Sequence, residues 1–447
     1  MGVRSVRLTI LGGGGFRVPL VYRALLADRA EPRVTEVVLY DVDEPRLAAI
    51  GQVLRQLADG VPDAPRVRIS AELTDALAGA DVVFCAMRVG GLAGRAADER
   101  IALDAGLLGQ ETTGPGGIAY GLRTVPVAMR VAELIAELCP RAWVVNFTNP
   151  AGMVTEAMQR ILGDRAIGVC DSPAGLCRRA ARALSVEPTR VAFDYAGLNH
   201  LGWLRAVRAQ GRDLLPELLA DDVALAGFEE GRLFGADWIR AIGALPNEYL
   251  YYYYFTAEAI TAMGAGETRG EFVARQQQAF YRAAAADPGR ALALWDRTRA
   301  ERDATYLAEA RDSDRDQSDV DEGGYEAVAL ALLAALRHGA PTTLILNVRN
   351  GSTLPTLPAD AVIEVSCTVD GSGARPLAVT PLSTHQLGLV AAVKAVERAT
   401  IEAAVSGSAA TAVTALALHP LVDSVGTARR LLTAYRAAIP ELAAVLR

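Results

Sequence analysis

A chain of 447 residues, 51% of them hydrophobic, is long enough for two domains around a sizeable core. Its net charge of −7 argues against a nucleic-acid footprint. No stretch approaches the roughly 18 uncharged apolar residues of a membrane helix. Five cysteines (Cys85, Cys139, Cys170, Cys177 and Cys367), with no C-x-x-C pair, suggest reduced thiols and a cytoplasmic setting.

The opening MGVRSVRLTILGGGG runs from a short apolar segment straight into glycines, which reads as a buried first strand and not a signal peptide. Val6–Leu11 is that strand, Gly12-Gly13-Gly14-Gly15 the turn after it, and Val18–Ala27 a helix returning to the turn. Strand, glycines and helix are what a dinucleotide pyrophosphate requires: close backbone approach and a helix N-terminus. Strand 36–40 then ends at Asp41, an acid suited to a ribose hydroxyl. Gly12, Gly13, Gly14, Gly15, Phe16 and Asp41 are the candidate cofactor residues. The third fingerprint glycine is absent, so a glycine turn that binds nothing stays open.

Helix Glu44–Ala58, a strand at 67–69, a short helix Leu73–Leu77 and a strand at 81–86 follow. This alternation predicts an α/β fold with a Rossmann-like, doubly wound parallel sheet. Residues 88–121 are expected as a long glycine-rich loop, and loops of that length in compact domains usually carry function. A helix over 122–139 leads to an apolar run at 143–145 that breaks into Asn146-Phe147-Thr148-Asn149-Pro150. After another helix, a second apolar run at 166–169 ends in Cys170-Asp171-Ser172-Pro173. Two strands thus deliver Asn149, Cys170 and Asp171 to the carboxyl edge of one sheet, where ligands bind in open α/β folds.

Beyond Pro173 a helix (175–184) and a strand (191–195) precede Gly197-Leu198-Asn199-His200-Leu201-Gly202-Trp203. Residues 205–345 are mostly helical, strands return at 343–348 and 361–368, and alanine-rich helices (385–405, 408–418, 425–445) close the chain. The expected division is a nucleotide domain over 1–195 and an α+β substrate, metal and oligomerisation domain over 196–447.

Four histidines occur, at 200, 338, 385 and 419. Cys170 and His200, each closing a strand, form a plausible soft metal pair completed by water or substrate oxygens. Spacing alone leaves open a buried structural thiol and a satisfied turn histidine. Tyr249 and Tyr251 to Tyr254 are similarly ambiguous, as packing or as the source of one basic phenolate.

The segments GLLGQETTGPGG, NFTNP, VCDSP, GLNHLGW, PNEYLYYYY, GETRGE and LNVRNGS, in this order, resemble glycoside hydrolase family 4, and within it the 6-phospho-β-glucosidase branch. The resemblance runs from the first strand to ALALHPLV near residue 421. It implies the NAD-dependent exception to two-carboxylate glycoside hydrolysis. The sugar C3 hydroxyl is oxidised, a base removes the acidified C2 proton, the aglycone is eliminated, water adds and the hydride returns. A divalent metal, typically Mn²⁺, acts as Lewis acid.

Carried onto matching positions, the resemblance makes Cys170 and His200 the metal ligands and Tyr249 the proton acceptor, with Glu111 raising its basicity. Asp171 assists the leaving group, Arg95, Asn149 and Arg269 hold the substrate, and Asn199 and Arg349 are lesser candidates, the latter at a phosphate. It also implies a homodimer or homotetramer. Two departures stand out: Gly15-Phe16-Arg17-Val18-Pro19 where the family has Ser and Tyr-Thr-Pro, and Asn347-Val348-Arg349-Asn350-Gly351, one Asn short. The second leaves an unphosphorylated glycoside as an alternative; an α-linked glycoside cleaved by the same mechanism is another. From other classes, a simple dehydrogenase of the lactate and malate type would need a His–Asp pair and no metal thiolate. A non-catalytic NAD sensor would not keep Cys170, His200 and Tyr249 together.

Overall fold

Every residue of the strand Val82–Cys85 (β4) is buried, and consecutive side chains enter different cores. Val82 and Phe84 join a cluster containing Val18, Val21 and Tyr22 of the first helix, whereas Val83 and Cys85 join one containing Ala128, Val131 and Val154. A strand whose successive residues point to opposite faces, all apolar, can only sit mid-sheet with helices on both sides. Val144 and Val145, and then Ala166 and Ile167, split between the same two clusters.

The computed structural model describes residues 5–29, 31–264, 266–304, 324–339 and 341–446. Besides β4, its first half contributes β1 (Val6–Leu11), β2 (Val34–Tyr40), β3 (Arg66–Ser70), β5 (Trp143–Asn146) and β6 (Ala166–Gly168). These run parallel in the order β3-β2-β1-β4-β5-β6. The order reverses between β1 and β4, and a crevice for ligands is expected at that switch point.

The sheet does not stop at β6. Its second half is antiparallel and holds β7 (Ala192–Leu198), β8 (Leu201–Ala209), β9 (Arg212–Asp213), β10 (Leu245–Pro246), β11 (Thr342–Arg349), β12 (Val362–Asp370) and β13 (Gly373–Pro376). The order continues β6-β11-β12-β7-β8-β10, with β13 on β12 and β9 on β8. Asn347 pairs with Gly168, so a strand from late in the chain closes the edge of the nucleotide half. The alanine-rich helices Thr384–Ser406, Ala409–Leu418 and Val425–Ala438 form a separate core with Ile118, Leu122 and Val125.

Two expectations are corrected. The segment expected as a loop over 88–121 contains the helix Gly91–Asp104, and the long helix starts at Pro115, not at 122. The first helix was hidden because its buried face carries Arg95, Asp98 and Glu99, which mimics a polar loop. Gly116 and Gly117 lie in this helix, and they are glycines because the preceding chain lies against them. A Cβ at Gly116 would meet the Gln110 carbonyl at 2.4 Å, and one at Gly117 the Thr112 carbonyl at 2.5 Å. The expected helix over 425–445 breaks at Ile439, where Pro440 starts a new one.

Candidate active site

The switch point carries a cleft of about 830 Å³. Gly12, Gly15, Phe16, Arg17 and Asp41 line one end, and Asn149, Cys170, Asp171, His200 and Tyr249 the other.

At the first end, Gly12 has φ 85°, and a Cβ there would sit 2.4 Å from the Ala86 carbonyl, so only glycine lets β1 and β4 approach so closely. Its N–H and that of Gly13 donate to the Tyr40 carbonyl at 3.0 and 2.8 Å, Gly14 N–H to Asp41 Oδ2 at 2.9 Å, and Gly15 N–H to the Gly12 carbonyl. All four glycine amides are thus bonded, three to Tyr40 and Asp41 at the end of β2 and one within the turn. Gly13 and Gly14 lie outside the cleft lining and act by packing: a Cβ would strike Leu39 and Tyr40 at the first, Leu47 at the second. Phe16 is largely core, with its ring against Phe280 and Trp295.

At the other end, the turns after β4 and β5 are tied together. Thr148 Oγ1 accepts Met87 N–H at 3.0 Å, and the Asn146 amide donates to Thr155 Oγ1 at 3.0 Å. That bracing fixes Asn149, whose peptide with Pro150 is cis and whose side chain faces the cleft. Cys170 is buried, with Sγ 3.7 Å from Ser172 Oγ, which in turn donates to Glu248 Oε1 at 3.3 Å. Burial pushes the Cys170 thiol well above its ordinary range, and the charges of Glu364 and Asp171 push it further. A bound cation would reverse that balance, because a coordinating thiol is deprotonated. Asp171 starts the helix Ser172–Ala183 without capping it by its side chain.

His200 is the second residue of a two-residue hairpin turn, since Leu198 of β7 pairs with Leu201 of β8. It adopts φ 62°, a conformation that carries a cost for any residue with a Cβ. Its ring stacks on that of Tyr249, centroids 3.6 Å apart and planes within 3°. Burial holds it neutral, lowering its pKa to about 4. Nδ1 lies 2.9 Å from Thr112 Oγ1. Tyr249 itself is in a short 3₁₀ turn, its N–H donating to Asn247 Oδ1 at 3.1 Å.

Between the two ends stands an ionic lattice. Glu111 pairs with Arg88 at 2.5 Å and Arg95 at 2.8 Å, Arg95 also pairs with Glu99 at 2.8 Å, and Glu99 accepts Gly270 N–H at 2.6 Å. Burial raises the Glu111 carboxyl, but Arg88 and Arg95 more than reverse this and its pKa falls to about 2. Arg302 is displaced the opposite way: burial and then repulsion from Arg17, Arg95, Arg269 and Arg88 lower it well below its ordinary value. Guanidinium stays protonated in proteins, so this crowding of cations stabilises an anion placed among them.

Two expected substrate residues are not brought to the cleft. Asn199 turns its amide to Glu364 Oε1 at 3.1 Å, behind the site. Arg349 pairs with Asp164 at 2.8 Å on the surface. Three residues that motif reading did not assign do line it: Arg17, Arg302 and Glu248. Arg17 was visible as a departure in the glycine turn, whereas Arg302 lies in a helix of ordinary composition. Of the other histidines, His385 Nε2 meets Tyr254 OH at 3.0 Å and His419 Nδ1 accepts Leu421 N–H at 3.1 Å. The side chain of His338 lies outside the described residues. Among the described residues, no group of three or more His, Cys, Asp and Glu gathers as a metal site by protein ligands alone. A metal held by Cys170 and His200 would therefore need outside oxygens to complete its shell.

Comparison with known proteins agrees along the chain. The family 4 glycosyl hydrolase model matches residues 7–186, and that of the family's C-terminal domain matches residues 195–422. A probable 6-phospho-beta-glucosidase of Bacillus subtilis (strain 168) is 32% identical over 98% of each chain. The structure resembles the 6-phospho-beta glucosidase of Thermotoga maritima with manganese, NAD⁺ and glucose-6-phosphate (TM-score 0.82, 28% identity, covering 98% of this chain and 99% of that one). It is also similar to a 6-phospho-alpha-glucosidase from gut microorganisms in complex with NAD and Mn²⁺ (TM-score 0.82, 26% identity, 99% and 100% covered).

Proposed function

Because the chain belongs to family 4 of the glycosyl hydrolases, we propose that it hydrolyses a 6-phospho-β-glucoside with NAD⁺ and a divalent metal, manganese first. The observation that carries this reading is a single cleft lined by Gly12, Arg17 and Asp41 and also by Cys170, Asp171, His200 and Tyr249. The β linkage is preferred because the relative at 32% identity is a probable 6-phospho-beta-glucosidase.

The residues present fit both helper groups. A glycine turn too tight for any Cβ at Gly12, opening on a helix N-terminus with an acid after β2, suits a dinucleotide. A thiol and a neutral imidazole are donors for a borderline divalent ion, with oxygens of the sugar completing the shell. When bound, NAD⁺ supplies a hydride acceptor for C3 and the metal a Lewis acid for the C2 and C3 oxygens.

The chain's own residues do the rest. Cys170 and His200 hold the metal. Tyr249, kept in place by its stack on His200, removes the C2 proton. Asp171 gives a proton to the departing aglycone oxygen. Arg95, fixed by two carboxylates, orients the sugar with Asn149. Glu111, ionised down to about pH 2, works as a fixed negative charge beside this group and as the anchor of Arg88 and Arg95. Arg17, Arg269 and Arg302 receive the 6-phosphate dianion. Residues 1–195 thus serve the nucleotide and also bring Arg95, Asn149, Cys170 and Asp171 to the sugar side, and residues 196–447 supply His200, Tyr249, Arg269 and Arg302. A homodimer or homotetramer in the cytoplasm completes the reading, with five unpaired thiols in its support.

The test is aglycone release from nitrophenyl 6-phospho-β-glucoside, its α anomer and both plain sugars, with NAD⁺ or metal omitted in turn. Release of the phosphorylated β substrate only when both are present is expected. Activity indifferent to both omissions overturns the mechanism, and activity confined to plain sugar overturns the substrate.

A further inference from the structure

The loop between the helix Gly91–Asp104 and the helix starting at Pro115 folds around one side-chain oxygen. Gln110 Oε1 accepts Thr112 N–H at 2.6 Å, Thr113 N–H at 2.7 Å and the Thr112 hydroxyl at 3.0 Å. A backbone N–H only donates, so the atom facing both must be the amide oxygen, which removes the usual ambiguity of a glutamine's orientation. With its single proton committed to Gln110, the Thr112 hydroxyl can only accept from the other side. That other side is His200 Nδ1, 2.9 Å away.

We propose that Gln110 and Thr112 are positioning residues that fix the proton of His200 on Nδ1 and so present the Nε2 lone pair to the metal. The inference rests on Cys170 and His200 being the metal ligands, as assigned above. A metal-bound imidazole is ordinarily oriented by what its second nitrogen donates to, most often a carboxylate or a carbonyl. Here the acceptor is a hydroxyl whose own polarity is set by an amide oxygen tied to two backbone donors. The relay crosses 88 residues of sequence between Thr112 and His200. It joins the loop before the long helix to the β7–β8 turn, where His200 sits at φ 62°.

Thr112→Val isolates the effect, because Gln110 keeps both backbone donors and the loop keeps its shape. Thr112→Ser restores the hydroxyl. In metal-free protein labelled with ¹⁵N-histidine, the His200 resonances of the wild type are expected to report a proton on Nδ1, shifting toward Nε2 in Thr112→Val and back in Thr112→Ser. Mn²⁺ affinity, read from the electron paramagnetic resonance of free Mn²⁺, should weaken by about 10- to 100-fold in Thr112→Val and recover in Thr112→Ser. A wild-type His200 protonated on Nε2 overturns the proposal without any variant. So does a Thr112→Val protein that binds Mn²⁺ as the wild type does. If His200→Ala leaves Mn²⁺ binding unchanged, the metal site itself is overturned instead.

Discussion

The two ends of the cleft are built by different means. The glycine turn is held mainly by backbone: three of its four amides donate to main-chain carbonyls and one to Asp41, and at four positions a Cβ would lie under 3.0 Å from a neighbouring atom. The end proposed for metal and sugar is held by side chains drawn from widely separated segments, through Asn146, Gln110, Thr112, Glu111 and the arginines around it. Backbone-built geometry depends on residue size and dihedral angle, whereas side-chain-built geometry depends on charge, proton position and hydrogen-bond partners. Substitutions and pH should therefore injure the two ends in different ways.

The largest expected effect lies at the side-chain end. On the proposed assignment, Cys170→Ser and His200→Ala each remove a metal donor worth about several kcal/mol of transition-state stabilisation, a loss of kcat/KM on the order of 10³-fold. NAD⁺ affinity, measured by fluorescence quenching, should stay near wild type; joint loss of both would break the contrast. Tyr249→Phe is expected to lower kcat by about 10²-fold or more and to slow solvent-deuterium entry at C2 in the same proportion. At the backbone end, Gly12→Ala forces a Cβ to within 2.4 Å of the Ala86 carbonyl at φ 85°. It should destabilise the fold by roughly 1–3 kcal/mol and weaken NAD⁺ binding while leaving Mn²⁺ affinity intact. Calorimetry and the two titrations check this.

Acid should act on the other end. Burial holds His200 neutral, its pKa lowered from 6.5 to about 4, and does the same for His419. The unfolded chain takes up protons first as pH falls, so their contribution is whole above about pH 6.5 and is lost toward pH 4. The raised carboxyls of Asp98 and Glu364 act in the opposite direction over the same range, so the histidine share is read by difference. Between pH 7 and pH 5, urea unfolding of the wild type should lose roughly 1–2 kcal/mol more than that of His419→Gln. The smallest effect is expected for Arg349→Ala, which breaks only a surface pair with Asp164 worth about 0–1 kcal/mol. A large rise in KM for the phosphorylated substrate would return Arg349 to the site.

Much of this was legible in the sequence, for reasons that follow the same contrast. The parallel sheet and glycine turn announce themselves locally, as apolar runs of strand length followed by residues without a Cβ. Cys170 and His200 could be placed at strand ends by the same patterning and read there as a possible metal pair, which resemblance to a family made the preferred reading. The helix Gly91–Asp104 was missed because its buried face is ionic. Its arginine and carboxylates look like a solvated loop until Glu111 and Gly270 arrive to partner them. Arg349 was placed at a phosphate by motif order, and no local feature announced that its partner would be Asp164. Arg302 gave no signal at all, since its role depends on four other arginines from three distant segments.

The pairing of Asn347 with Gly168 has a consequence for how the protein is made. By the time the first 195 residues leave the ribosome, β6 has no neighbour on its outer side, because β11 begins only at Thr342. An unpaired strand edge is a template for other chains. The nascent protein thus carries an adhesive edge for some 150 residues of synthesis, at about 5–20 residues per second. Expression of residues 1–195 alone should yield aggregates, because β11, the strand that covers β6, lies outside that fragment.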